Sequence, residues 1–477
     1  MGNVYVTGTS MSDTGDNTQY LDFVTIKYHA NGDTAWVRRQ DFGGKDVSRG
    51  LGVDVQGNVY VAGTNNDDRI VTAKYSPSGT LLWSRLFGSQ GGAQDLAIDS
   101  RGSIIVCGSS CRSSADMVTI KYCPNGDTAW VRYYDWAGSD DRALAAAIGE
   151  SDDVIVSGYG ATATTHIDCT TVRYDSTGSQ LWAAGYDGPK HGADFASDVA
   201  VDDSGNAVIT GCGDNGYGTP WDYLTIKYDS VGETLWTRRY NGTANGDDEA
   251  STLVVDKSGY VYVTGFASYA DNGRDFATVK YRHDGSIAWL ERYDGPTHQG
   301  AAAYALAVDE NSHLYVTGES YDPQTKADCA TVCYDTTGDT IWTRTYNGPS
   351  NLGEYATELA LGSDGAVCVA GIGYTAYPTS DILTIKYVQN GGVEEERATR
   401  GACRQSLVAE PSVFSSWDML RGPTENSGTA RLLVFDAMGR QVTQAKPGVY
   451  FVIEAQAQAQ AQAAHKPQAI RKVVLVE

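Results

Sequence analysis

The stretch "YDSVGETLWTRRYNG" (228–242) returns almost unchanged as "YDTTGDTIWTRTYNG" (334–348). A catalytic motif has no reason to recur within one chain, whereas a structural unit does. A second phrase, "GNVYVTG" (2–8), also returns in altered form, for example as "GYVYVTG" (259–265). The chain is therefore a series of repeats, and the repeat decides the fold.

Each repeat contains four short segments in which apolar and polar residues alternate. They read Leu-Ala-Val-Asp, Asn-Val-Tyr-Val-Thr-Gly, Val-Thr-Ile-Lys-Tyr and Thr-Leu-Trp-Thr-Arg, and we label them strands a, b, c and d. Such alternation is typical of half-buried β-strands. The a–b and c–d links carry Asp-x-x-Gly, which suits a tight turn with glycine at the positive-φ position. A period of 47 to 54 residues with four strands predicts a β-propeller.

The tryptophan of strand d is predicted to pack against the adjacent blade. A single blade cannot bury both of its faces, so its neighbours must cover them. We interpret these residues as blade packing rather than as ligand-stacking residues: Trp36, Trp83, Trp130, Trp182, Trp236, Trp289 and Trp342.

The strand count predicts how the propeller begins and ends. The phrases give eight b and eight c strands but only seven a and seven d strands, because the chain opens at b and the last repeat stops at c. We predict an all-β, eight-bladed propeller with four-stranded blades over residues 1–392, incomplete at the N-terminus, with seven blades as the alternative. The loss of one N-terminal segment would explain the missing d and a strands and the absence of a signal peptide.

The repeat and the tail each resemble a known family. "GNVYVTG", "DFVTIKY" and "GDTAW" within residues 2–36 resemble the bacterial β-propeller repeat called SBBP, over about residues 1–392. That resemblance implies a secreted or surface propeller but no single activity. Residues 393–408 are predicted to be a charged linker and residues 409–477 a small β-sandwich.

The tail phrases that carry the second resemblance are "VFDAMGRQV" (434–442), "GVYFV" (448–452) and "KVVLVE" (472–477). They resemble the C-terminal sorting domain of type IX secretion, which implies a secreted or outer-surface location and a contact with the secretion machinery. An unrelated β-rich accessory domain is the alternative for this tail.

Composition restricts the partners. Asp and Glu outnumber Lys and Arg, 59 to 36, which gives a formal charge of −23. Nucleic acid and anionic membranes require basic patches, so neither is expected. No apolar run is long enough to span a membrane. Of the nine cysteines, Cys169 and Cys329 are predicted core residues, while Cys107 and Cys111 could pair. We expect a monomer.

The b–c and d–a loops vary in length and are where binding is expected. The candidate binding residues are acids of the d–a loops, namely Asp46, Asp141, Asp194, Asp248 and Glu354, and aromatics of the b–c loops, namely Tyr217, Trp221 and Tyr269. The alternative is that the acids bond nearby backbone amides and the aromatics fill exposed loops. Calcium is the cofactor that such acids could hold, for example around "SDTGDN" (12–17). No catalytic residue is identified.

The pattern favours a secreted or surface module that binds an extracellular protein or glycan, or has a structural role, over an enzyme. An enzyme should interrupt its own repeat at one or two blades, and blades 4 to 7 keep the pattern closely. The alternative is a secreted hydrolase or lyase with its site among the acidic b–c and d–a loops.

Overall fold

β-Strands are the only regular elements in the part of the chain that the computed structural model describes. That part is 2–389, together with the strands at 407–413, 432–436, 441–442, 450–454 and 468–476. The stretches of 2–389 left out are 14–18, 112–113, 137, 139, 163–165, 215, 217–219, 271–272, 349–350, 363–364 and 377–378. Within these described residues, no helix is long and apolar enough to cross a bilayer.

The first strands follow the repeat closely. Blade 1 contains β1 (Asn3–Asp13), β2 (Gln19–Tyr28) and β3 (Thr34–Gln40). Blades 2 and 3 contain β4 (Val47–Val53), β5 (Val59–Thr64), β6 (Ile70–Tyr75), β7 (Leu81–Phe87), β8 (Gly92–Ile98), β9 (Ile104–Cys111), β10 (Ala115–Tyr122) and β11 (Thr128–Tyr134). Blades 4 and 5 contain β12 (Asp141–Ile148), β13 (Val154–Thr162), β14 (His166–Tyr174), β15 (Gln180–Tyr186), β16 (Asp194–Val201), β17 (Ala207–Asp214), β18 (Trp221–Tyr228) and β19 (Thr234–Tyr240).

The later strands complete the series. Blades 6 and 7 contain β20 (Glu249–Val255), β21 (Val261–Tyr269), β22 (Gly273–Tyr281), β23 (Ile287–Tyr293), β24 (Ala301–Val308), β25 (Leu314–Asp322), β26 (Lys326–Tyr334) and β27 (Thr340–Tyr346). Blade 8 contains β28 (Glu354–Leu361), β29 (Val367–Ala376) and β30 (Thr379–Gln389). The tail adds β31 (Leu407–Val413), β32 (Leu432–Asp436), β33 (Gln441–Val442), β34 (Tyr450–Glu454) and β35 (Gln468–Val476).

Seven of the sheets are antiparallel and four-stranded, the eighth continues past its fourth strand into the tail, and the predicted eight-bladed β-propeller is confirmed. Each blade runs in the order a, b, c, d; in blade 3, for example, Thr119 pairs with Cys107 on one side and with Arg132 on the other. The chain divides into two compact units, one of residues 42–306 and the other of residues 1–41 with 307–477. Blades 2 to 6 belong to the first unit.

The strand-d tryptophans of blades 3, 4 and 5 reach the following blade. Trp130 Nε1 donates to Ser176 O at 3.2 Å, and the Trp130 ring lies 6.0 Å from the Tyr174 ring. Trp182 and Trp236 make the same two contacts with their next blades, to Ser230 O and His283 O. Because the indoles of Trp130, Trp182 and Trp236 are almost fully buried and also hydrogen-bonded, truncation of any one of them to alanine should cost about 3–5 kcal/mol.

In blade 5, a buried carboxylate holds the a–b turn at the opposite end of the blade from the d–a loops. Asp202 Oδ1 accepts the backbone N–H groups of Ser204 and Asn206, and its Oδ2 accepts from Asn206 Nδ2 at 2.9 Å and Lys227 Nζ at 2.7 Å. Gly205 has a φ of +76°, the left-handed conformation that the turn requires. These contacts are the Asp-x-x-Gly turn expected from the sequence.

Two strands of the tail occupy the positions that the repeat count left open. β31 pairs with β30 as strand d of blade 8, and β35 pairs antiparallel with β1 as strand a of blade 1. Strands β34, β32 and β33 continue the sheet beyond β31. The repeat count missed β31 and β35 because neither carries the repeat's phrases, although backbone pairing needs only an extended strand. A separate β-sandwich over 409–477 stays a prediction.

The eight cysteines among the described residues are all free, Cys107 and Cys111 included. Cys169 and Cys329 are 1% and 0% exposed, so both are core residues.

Candidate functional site

The loop side of a blade is the end at which its b–c and d–a connections lie. The five candidate acids of the d–a loops stand there, and none is more than 2% exposed. Each accepts a backbone N–H group from its own loop: Asp46 from Phe42, Asp141 from Trp136, Asp194 from Gly188, Asp248 from Gly242 and Glu354 from Gly348. They hold the loops and do not present an exposed ring of carboxylates.

Asp194 illustrates the electrostatics of these buried acids. Its Oδ2 accepts from Gly188 N at 2.7 Å, and its Oδ1 accepts from Arg239 Nη2 at 2.7 Å. Burial nevertheless dominates and raises the pKa of Asp194 to about 6. Burial likewise raises the pKa of Asp141 and Asp248 to about 6 and that of Glu354 to about 7. These groups therefore take up protons in weakly acidic solution.

Blade 4 brings three carboxylates together. Asp168, at the start of strand c, lies beside Asp187 and Asp194 of the d–a loop, and one oxygen from each falls within 4.8 Å of the others. This arrangement could hold a cation or share a proton. Arg239 already donates to Asp194, however, and His191 Nδ1 lies 2.5 Å from Asp187 Oδ2. Any cation would therefore compete with positive charge already supplied by the protein.

The same blade departs from the repeat at strand d. Gly185 pairs with Thr170 at the register position that Arg239 occupies in blade 5, opposite Leu224. A Cβ at Gly185 would lie only 2.4 Å from Trp136 Cζ2. Trp136, from the preceding d–a loop, thus occupies the space that a side chain would otherwise take.

A hydrogen bond between two side chains four residues apart also closes the d–a loops of blades 4 to 7. In blade 4, Asp187 and His191 are four residues apart and hydrogen-bonded, and His191 has a φ of +56°. In blade 5, Asn241 Nδ2 donates to Asn245 Oδ1 at 3.2 Å, and Asn245 has a φ of +48°. Blades 6 and 7 repeat the two forms with Asp294–His298 and Asn347–Asn351. The loop thus has one geometry, which is closed by an ionisable Asp–His pair in blades 4 and 6 and by an uncharged Asn–Asn pair in blades 5 and 7.

Two of the three candidate aromatics can be placed, and they differ. Trp221 is the first residue of β18 and is half-buried. Tyr269 is the last residue of β21, and its expected position in an exposed loop is wrong: it is 8% exposed. Its hydroxyl lies 2.7 Å from that of Tyr240, and Arg292 stacks 4.1 Å from its ring centre. Tyr217 lies outside the described residues.

Trp221 belongs to an aromatic strip that the sequence interpretation missed. Its ring lies 5.0 Å from that of Phe195, which in turn lies 5.1 Å from that of Tyr159. Tyr159 and Phe195 are half-buried, like Trp221. A comparison of blades could have found them, because the positions of Tyr159 and Phe195 are occupied by Thr64 and Val47 in blade 2.

The strip continues into blade 6 through polar contacts. Trp221 N donates to Asp247 Oδ1 at 3.4 Å, and Trp221 O accepts from Asp248 N at 2.7 Å. Asp247 also lies 3.5 Å from Arg274, whose guanidinium stacks 4.3 Å from the ring centre of Phe266. The Arg274 side chain is 54% exposed. Blades 4 and 5 therefore carry three aromatic rings in contact, and polar contacts join them to an exposed Arg–Asp pair beside blade 6.

Comparisons with known proteins establish no family. No protein-family model and no curated protein sequence matches the chain. Among solved structures, similar ones include the periplasmic gluconolactonase of Pseudomonas aeruginosa, with 11% identity, a TM-score of 0.42 and coverage of 85% of this chain and 99% of that one. A protein of unknown function from Bacteroides caccae has 11% identity and a TM-score of 0.40, covering 75% and 97%. A streptogramin B lyase has 14% identity and a TM-score of 0.38, covering 68% and 89%.

Proposed function

We propose that this chain is a secreted or cell-surface β-propeller that acts as a binding or structural module. One observation supports a binding role above all. The acids that recur from blade to blade are buried against loop amides, whereas the half-buried rings of blades 4 and 5 stand at positions whose residue type changes from blade to blade, for example to Thr64 and Val47 in blade 2. Recurring groups hold the scaffold, and the irregular ones supply a candidate contact surface.

An untargeted binding measurement tests this proposal. The purified full chain, labelled at surface lysines, would be applied to an array of glycans and to an array of extracellular proteins. Saturable binding to one class, competed by unlabelled chain, supports a binding module. No saturable binding on either array would contradict the binding role and leave only the structural one.

Export through the C-terminal region is the second part of the proposal. It rests on the resemblance of the tail phrases to a type IX sorting domain. In a host with that machinery, a reporter fused to residues 409–477 and preceded by a signal peptide should reach the outer surface or the medium. Retention of the reporter in the periplasm would contradict this part alone.

Calcium is proposed as an accessory ion at Asp168, Asp187 and Asp194. A ligand that binds only the folded state at a hundred times its dissociation constant adds about 2.7 kcal/mol of stability. The melting temperature of the full chain should therefore rise with calcium, fall back with chelator, and respond less in an Asp187→Asn variant. An identical response in the variant would place any calcium elsewhere, and no response would leave these acids as loop-holding groups.

A secreted hydrolase or lyase is the second candidate function. The proximity of Asp168, Asp187 and Asp194 favours it, because burial holds the pKa of Asp194 near 6 while a second carboxylate stands beside it. Release of reducing ends or of unsaturated products from a panel of polysaccharides would test it. Activity that survives both Asp187→Asn and Asp194→Asn would exclude this cluster as its source.

A further inference from the structure

The loop side of blades 4 to 6 carries a surface whose chemistry points to one class of ligand. From the structure, we propose that the aromatic strip formed by Tyr159, Phe195 and Trp221, with Arg274 and Asp247 at its end, binds a neutral oligosaccharide chain. This inference rests on the proposed binding function and specifies the ligand of that module.

The rings suit a sugar because they form one apolar patch that is only half-buried. One face of a pyranose is a patch of C–H groups, which packs on the electron-rich face of an aromatic ring. The ring centres of the strip follow one another at 5.1 and 5.0 Å, and the ring planes are inclined by 75° and 43°, so the three rings pack on one another. One sugar unit would contact the exposed part of this patch, and the next units of the chain would reach the Arg274–Asp247 pair.

The polar groups at the end of the strip suit hydroxyl groups. Arg274 offers guanidinium donors, half of that side chain is exposed, and Asp247 offers acceptor oxygens next to it. A carboxylate and a guanidinium side by side can bond the vicinal hydroxyls of a sugar, which are donors and acceptors at once. The paired charges compensate each other, so a neutral ligand is favoured over a charged one.

Charge and rigidity support the same ligand. With a formal charge of −23, the chain repels anionic polysaccharides over distances comparable with the Debye length. The backbone of Trp221 is held by Asp247 on one side and by Asp248 on the other. A platform fixed before binding loses little conformational entropy when the ligand arrives.

The experiment is affinity electrophoresis of the full chain through gels that contain one soluble polysaccharide each. Laminarin, mannan and xylan serve as neutral probes, and hyaluronan serves as the anionic one. We expect retardation by at least one neutral probe and none by hyaluronan. Trp221→Ala and Tyr159→Ala should each weaken binding about tenfold, as expected for the loss of one stacked aromatic contact.

A matched control comes from the same blade as Trp221. Leu235 lies on β19 and is 51% exposed, so Leu235→Ala removes an exposed apolar side chain away from the strip. It should leave retardation unchanged. Melting temperatures of all three variants separate loss of binding from loss of folding, and Tyr159→Ala keeps the test valid where Trp221→Ala fails to fold.

The outcomes distinguish this inference from the function on which it rests. Retardation that both ring variants preserve would place the glycan elsewhere, which overturns the strip but not the binding module. No retardation by any neutral probe, with capture of a protein on the array described above, would overturn the glycan and leave the module. No binding of either kind would overturn both.

Discussion

Each end of blade 5 has a buried aspartate that binds backbone amides of a chain reversal, but the two aspartates differ in their other donors. At the turn end of blade 5, Asp202 accepts from two backbone amides, an Asn206 amide and the Lys227 ammonium, and these contacts hold its pKa below the usual value despite burial. At the loop end, Asp194 has fewer donors, and burial raises its pKa to about 6. A turn of fixed length permits a complete set of donors, whereas loops of variable length do not.

The largest effect is expected at the turn end. Asp202→Ala leaves Lys227, which is 3% exposed, as a buried and unpaired cation. Breaking a buried pair from one side typically costs about 3–5 kcal/mol. Urea unfolding of the full chain, followed by tryptophan fluorescence, should show this loss. A change under about 1 kcal/mol would mean that water reaches Lys227 and that the two ends do not differ as described.

An intermediate effect is expected at the loop end, and it depends on pH. Because the folded pKa of Asp194 is raised above its unfolded value, the unfolded chain ionises first. Stability from this group is therefore highest below about pH 4 and declines by up to about 3 kcal/mol as pH rises to about 6. Asp194→Asn should flatten this decline.

Asp202→Asn is the matched control for that measurement. The lowered pKa of Asp202 means that its stabilisation is present at neutral pH and is lost only as pH falls below the unfolded value of 3.8. Unfolding midpoints measured between about pH 3 and 8 should therefore change in different windows for the two variants. Identical pH profiles for the two variants would show that the carboxyl groups of Asp194 and Asp202 do not differ in pKa as described.

The smallest effect is expected from exchanging the loop closures of blades 4 and 5. Asp187 raises the pKa of His191, so the stabilisation from this pair is present below about pH 6.5 and is lost as pH rises through the folded value. The double variant Asp187→Asn, His191→Asn copies Asn241 and Asn245 of blade 5. It should fold normally and lose that dependence above about pH 6.5, by comparison of unfolding midpoints. A loop that opens in the variant, seen as faster amide exchange at Gly188, would show that the two closures are not equivalent.

Much of the fold could be predicted because the information is local and recurs. Alternating apolar residues and Asp-x-x-Gly turns are repeated often enough to define strands such as β17 and β18 without any knowledge of their partners. β31 and β35 could not be found in this way, because a closing strand needs only backbone groups and an apolar pattern. Their pairing depends on contacts with residues far away in the sequence.

The candidate site was less predictable for a similar reason. Tyr269 resembled a loop residue because strand b runs past the end of its repeated phrase, and only the structure gives the length of that strand. Tyr159 and Phe195 carry no motif, and what joins them to Trp221 is the packing of neighbouring strands. A blade-by-blade alignment could find such residues, because they differ from the residues at the same position in most other blades.

The pairing of β35 with β1 bears on the order in which the chain is synthesised, closed into a propeller and exported. Asn3 pairs with Val476, so blade 1 is complete only after almost the whole chain has been synthesised. Closing so long a loop adds little free-energy cost over a short one, about 0.6 kcal/mol for each doubling of length, but such distant pairings form slowly. While β35 pairs with β1, the backbone groups along that edge are occupied. If the tail is a sorting signal whose recognition needs that edge, it must be recognised before blade 1 closes.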